Sequence, residues 1–139
     1  MLMTILQIAM KYADYHRALE RLQSALYKDP DVDGIYIDAS MHRFELSFYL
    51  AWNLMKVVLE YEGIEVDSPR SSICEAGKQG MIADTKMWFE MQKKRNLSSH
   101  TYNQASALDV YQLIREKYAP LLLALDKEVQ RRLEVDQSN

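Results

Sequence analysis

Arg95-Asn96-Leu97-Ser98-Ser99-His100-Thr101-Tyr102 gathers a permanent cation, an imidazole and a phenol into one short window. Arginine carries a planar fork of donors that matches phosphate, and it stays charged at any relevant pH. Histidine is the side chain most easily poised as a general acid or base near neutrality. Arg95 and His100 are therefore the candidates for chemistry on a phosphate, with Asn96 and Tyr102 in support. Lys93 and Lys94 extend the positive charge and are candidate contacts for a phosphate polyanion.

Five residues along a continuous helix is a rotation of roughly 500°, which leaves Arg95 and His100 roughly 140° apart on different faces. They share a site only where the chain bends between them. Asn96, Ser98 and Ser99 are poor in helix interiors and favoured at ends, so the bend is expected there. The window then reads as a helix end bearing Arg95, a turn, and a new helix from near Asn103. His100 and Tyr102 sit at the mouth of that turn, beside a helix N-terminus of the kind that attracts phosphate. The plain alternative is an Arg-Asn pair closing a helix before an ordinary polar turn.

The other chemically capable residues read as structural. His16 and His42 fall inside helical patterns with no partner spacing, as surface or satisfied residues. Cys74 follows no cation and precedes Glu75, so it reads as an inert thiol. Trp52 and Trp88 lie on apolar stripes and read as core anchors. Three His and one Cys without a ligand spacing such as His-Glu-x-x-His make no case for zinc, and no glycine-rich phosphate loop is present.

The elements that position the window are helical. Ile5, Ile8, Tyr12, Tyr15, Leu19, Leu22 and Leu26 step by threes and fours until Asp29-Pro30-Asp31 breaks the pattern. A second helix spans roughly 34 or 35 to 62, with the stripe Ile37, Met41, Phe44, Phe48, Ala51, Met55 and Val58. A further row, Leu46, Leu50, Leu54 and Val57, widens its apolar face. A helix so apolar is central to its bundle or faces a second subunit. Gly63 terminates it. Asp67 or Ser68 before Pro69 starts a short helix ending near Gly80, and Asp84 caps a helix from Thr85 to about Leu97. The last long segment runs from near Asn103 through Tyr111, Ile114, Tyr118, Leu121 and Leu125, with Pro120 expected to kink or split it. The tail 136–139 is expected to fray. These elements predict an all-α fold: an antiparallel up-and-down four-helix bundle with the 69–79 helix as a short extra element.

At 139 residues, 48% hydrophobic and 27% charged, the chain is long enough for one domain with a proper core, expected over residues 1–135. The formal net charge of −3 gives no global field for polyanions, so any such site must be local. A single cysteine suits a reducing compartment, no apolar run reaches membrane-spanning length, and the N-terminus lacks a basic signal-peptide region. A cytoplasmic location is expected.

The Arg-x4-His-x-Tyr window on a helical scaffold resembles the prokaryotic HEPN domains, and among them the nucleotidyltransferase substrate-binding proteins. Further motifs carry the resemblance: Arg43-Phe44-Glu45, Phe48, Leu50-Ala51-Trp52, Lys56, Pro69, Glu75-Ala76, Gly80-Met81-Ile82, Asp84, Trp88 and Tyr118. It covers most of residues 10–130. Tyr49 and Cys74 depart from the family pattern, where a glutamate and a basic residue are usual.

The resemblance implies a homodimer that brings two Arg-His windows towards one cleft. It also implies a minimal nucleotidyltransferase as partner. Some members are toxins, metal-independent endoribonucleases that use no cofactor and are neutralised by that antitoxin partner, which adenylylates the motif tyrosine, here Tyr102. Others are described as non-catalytic substrate-binding subunits. The expected function is the toxin-type ribonuclease acting on RNA, with a nucleotide-binding subunit as the alternative and a purely structural helical dimer as a third reading.

Overall fold

Thr4 opens the first helix of the computed structural model, which describes residues 4–28, 34–98 and 104–138. Its hydroxyl accepts the Gln7 N–H at 3.1 Å, and the Gln7 side chain accepts the Thr4 N–H at 2.8 Å. That reciprocal pair satisfies donors a helix start otherwise leaves orphaned. Helix α1 (Ile5–Leu26) follows, and then α2 (Ile35–Tyr61). The expected break at Asp29-Pro30-Asp31 falls outside the described residues.

Gly63, at φ 89°, lets α2 end in a wrapped turn. The Ile64 N–H donates to the Leu59 carbonyl at 2.8 Å and the Gly63 N–H to Glu60 at 3.0 Å, which caps carbonyls of the last turn. Helix α3 (Pro69–Lys78) is capped at its start by Ser68 and ends the same way on Gly80 (φ 72°), with Met81 N–H on the Ala76 carbonyl. Asp84 opens α4 (Thr85–Ser98) by accepting the Met87 N–H at 3.1 Å.

Helix α5 (Gln104–Leu113) passes through a π turn (Ile114–Tyr118) into α6 (Ala119–Ser138). Pro120 explains the widening. It has no N–H for the Glu116 carbonyl, and its ring crowds that carbonyl. The chain loosens locally, and the Ala119 N–H reaches back to Ile114. The last segment is thus divided just before Pro120, and its backbone is helical to Ser138, into the tail expected to fray from 136.

Every regular element among the described residues is a helix, and none is long and apolar enough to cross a membrane. Helix α2 packs against α1, α3, α4, α5 and α6, while α1 also meets α6. Its Phe44, Phe48, Leu54, Met55 and Leu59 are fully buried. The second apolar row is only half enclosed: Leu54 and Val57 are buried, Leu50 is half-buried, and Leu46 is exposed. Trp88 is buried as expected, whereas Trp52 is half-buried with an indole N–H that finds no partner among the described residues.

The α1–α6 contact is pinned by a buried carboxylate. Asp126 accepts from the Tyr12 hydroxyl at 2.9 Å and faces His16 Nδ1 at 2.7 Å, so His16 is a satisfied surface histidine. Tyr15, fully buried, donates to the Leu122 carbonyl at 2.6 Å. Arg132 ties α6 to two helix ends, donating to Glu62 at 2.9 Å and to the Gln79 carbonyl at 3.2 Å.

Burial, reinforced by Asp126 as acceptor and as charge, pushes the Tyr12 phenol up to about 12 from 10.0, and burial drives Tyr15 well above its usual range. As pH rises, the unfolded chain therefore releases these protons before the folded one does. The stability they contribute is complete below pH 10 and is lost as pH climbs through about 12. Denaturant melts should show stability falling steeply over that interval in the wild type and less steeply in Tyr12→Phe. Equal slopes would show that Tyr12 titrates alike in both states.

Candidate functional site

Helix α4 presents the candidate residues on two flanks. Trp88, Met91 and Arg95 follow the i, i+3, i+7 spacing of one helix face. Trp88 and Met91 are buried and Arg95 is half-buried at the last turn, where a cation suits the negative end of the helix dipole. The Arg95 guanidinium carbon lies 5.0 Å from the centroid of the Phe48 ring on α2. Phe48 is itself fully buried, with Trp88 packed against it at 6.3 Å. Arg95 thus rests on an aromatic floor that two helices hold in place.

A second aromatic anchor lies alongside. Phe44 stacks on Tyr118 of the π turn, ring centroids 5.7 Å apart, and the Tyr118 hydroxyl donates to Glu90 at 2.7 Å. Burial, then the Glu90 carboxylate, pushes the Tyr118 phenol far up, so it keeps its proton and remains the donor. This bond connects the middle of α4 to the π turn.

Lys86, Phe89 and Lys93 are set two residues from the Arg95 flank, roughly 200° around the axis. With Arg70 of α3, and with Glu90 and Gln92, they line a groove of about 600 Å³. The Arg70 guanidinium lies over the Phe89 ring at 5.4 Å. Lys93 is exposed in this groove, and Lys94 is half-buried and not among the residues lining it.

Of the residues picked out in the sequence, Arg95, Lys93 and Lys94 can be placed. His100 and Tyr102 lie outside the described residues, and of Asn96 only the helical backbone is described. Phe48, Arg70, Lys86, Phe89, Glu90 and Gln92 come to the site without having been singled out in the sequence as functional. The spacing of Lys86, Phe89 and Lys93 is legible as one helix face, but Arg70 reaches it only through the packing of α3 on α4.

Comparison with known proteins follows the same lines. The family described as nucleotidyltransferase substrate binding protein like matches residues 10–131. Over 85 residues the chain is 31% identical to the probable ribonuclease HepT of Haemophilus influenzae, with 58% of each protein covered. The match therefore takes in less than two thirds of that relative's length. The fold is similar to a crystal structure from Thermus thermophilus, with a TM-score of 0.70 and 29% identity over 86% of this chain and 98% of that one.

Arg95 and Phe48 should be energetically coupled. In a double-mutant cycle with Phe48→Leu and Arg95→Met, the interaction term is expected at about 0.5–1 kcal/mol. A term indistinguishable from zero in denaturant melts would mean that the ring does not hold the guanidinium.

Proposed function

This chain belongs to the nucleotidyltransferase substrate binding protein-like family, and on that premise we propose that it is a HEPN toxin-type, metal-independent endoribonuclease. The observation that carries the reading is Arg95, a fixed cation on the Phe48 ring, at the head of an Arg-x4-His window in a chain similar to a probable ribonuclease. The proposed scaffold is one domain over residues 1–135, an antiparallel up-and-down four-helix bundle with α3 as the short extra helix. It acts in the cytoplasm.

RNA carries its own nucleophile. The 2′-hydroxyl attacks the adjacent phosphorus, forming the O2′–P bond as the P–O5′ bond breaks, and the products are a cyclic phosphate and a free 5′-hydroxyl. His100 serves proton transfer, as base to the 2′-hydroxyl or as acid to the leaving oxygen. Arg95 neutralises the charge that builds on the non-bridging oxygens, a task its planar fork suits. Asn96 orients His100 or the phosphate, and Lys93 and Lys94 contact the RNA backbone.

The protein works as a homodimer with a minimal nucleotidyltransferase as antitoxin. Support for the dimer comes from α2, which leaves Leu46 and Tyr49 43% and 53% exposed on one helix. The partner adenylylates Tyr102, and the added anion competes with the RNA phosphate for Arg95. The family's substrate-binding description favours a second reading, in which the same residues hold a nucleotide for the nucleotidyltransferase without turning it over.

Purified protein should cleave RNA in EDTA, and Arg95→Ala and His100→Ala should each reduce the rate by about 10²–10³-fold with unchanged helical circular dichroism. Cleavage at the wild-type rate in either variant overturns the mechanism. A wild type that binds nucleotide and cleaves nothing transfers the assignment to the binding subunit.

Co-expression with the nucleotidyltransferase should yield a complex whose light-scattering mass contains two copies of this chain. Its peptide mass spectrum should carry adenylyl on Tyr102. A single copy per complex removes the dimer, and an unmodified Tyr102 leaves neutralisation to simple masking.

A further inference from the structure

The groove between α3 and α4 concentrates positive charge that folding does not require. Arg70 and Lys86, Lys93 and Glu90 line it, three cations against one carboxylate, in a chain whose net charge is −3. Arg70 is the second residue of α3 and Lys86 the second of α4. Both therefore stand in first turns, where the positive end of the helix dipole disfavours a cation. Neither of them, nor Lys93, forms an ion pair among the described residues. Glu90, the one carboxylate lining the groove, can offset only one of the three cations.

The groove also has a planar component. The Arg70 guanidinium carbon lies over the Phe89 ring, 5.4 Å from its centroid, and Arg70 is an exposed residue. A guanidinium backed by an aromatic ring is a stacking platform for a nucleobase. Gln92, half-buried in the same groove, has both a donor and an acceptor for a base edge.

We propose that this groove is an accessory binding track for single-stranded RNA, with Arg70 on Phe89 as the base platform and Lys86 and Lys93 as the phosphate contacts. It rests on the reading of the chain as an RNA-acting protein. Lys86 and Lys93 are seven residues apart, about 10 Å along the helix, so the cations span a length of strand rather than one phosphate. The track runs on the flank of α4 away from Arg95. From Lys93 the end of α4 at Ser98 is about 8 Å further, and a strand rounding that end reaches the Arg95 flank.

Fluorescence anisotropy of a short single-stranded RNA with the full chain, in EDTA and over a salt series, tests the track by binding alone. Arg70→Ala should weaken binding about tenfold, and Arg70→Lys should restore the charge yet remain weakened because the plane is gone. Lys86→Gln and Lys93→Gln should each lower the slope of log affinity against log salt by about one. Helical circular dichroism should be unchanged throughout, since all three side chains are exposed. Wild-type affinity and salt slope in all these variants overturn the track. Wild-type affinity in Arg70→Lys overturns the stacking role, and displacement of the RNA by equimolar AMP overturns a strand in favour of a mononucleotide. A wild type that binds RNA through these residues but does not cleave it leaves the track standing and brings down the ribonuclease reading.

Discussion

Phe44 stacked on Tyr118 and Phe48 packed beneath both Trp88 and Arg95 are consecutive turns of the same helix, and they fix where α4 and the π turn stand relative to α2. Large apolar rings removed from water contribute more to stability than any polar pair on this surface, and their shapes leave little freedom in how neighbouring helices cross. Because α2 is apolar on several sides, each of the other α-helices is held against it. The position of Arg95 is a consequence of that packing. It is carried on the end of a helix whose buried side is already committed to α2.

Holding a guanidinium on an aromatic face has a chemical consequence. The Arg95 guanidinium carbon stands 5.0 Å from the Phe48 centroid, and the five N–H donors of a guanidinium lie in its plane. The ring limits where the Arg95 side chain can go and brings no negative charge of its own to oppose a phosphate. Arg70 on Phe89 repeats the device on the opposite flank of α4. Two cations thus stand against aromatic rings on either side of one helix.

Pro120 and Tyr118 belong to one structural event. The proline interrupts the regular hydrogen-bond ladder, the helix widens over Ile114–Tyr118, and Tyr118 is buried with its hydroxyl on Glu90. That bond ties the widened turn to α4 between its two flanks. About two turns further along, Asp126 gathers Tyr12 and His16 and holds α6 to α1. The last helical segment is therefore fastened to the rest largely by phenols, of which Tyr12 and Tyr118 donate to carboxylates and Tyr15 and Tyr111 to backbone carbonyls.

Much of the fold was legible in the residues themselves. Pro69 after Ser68, Asp84, Gly63 and Gly80 mark helix ends through hydrogen bonds that span no more than five residues, so their meaning survives without knowledge of anything distant. The chemical character of Arg95 and His100 was legible for the same reason, as residue type and spacing. What covers each helix was not. The apolar row of α2 is legible as a face for the core or for a second subunit, but not how it divides, with Leu46 exposed and Leu54, two turns on, enclosed. Nor could local pattern bring Phe48 under Arg95, Asp126 to His16 or Arg70 to Phe89. Those pairings join residues far apart in the chain and depend on the rotation and crossing of whole helices, which only the packing of the assembled core decides.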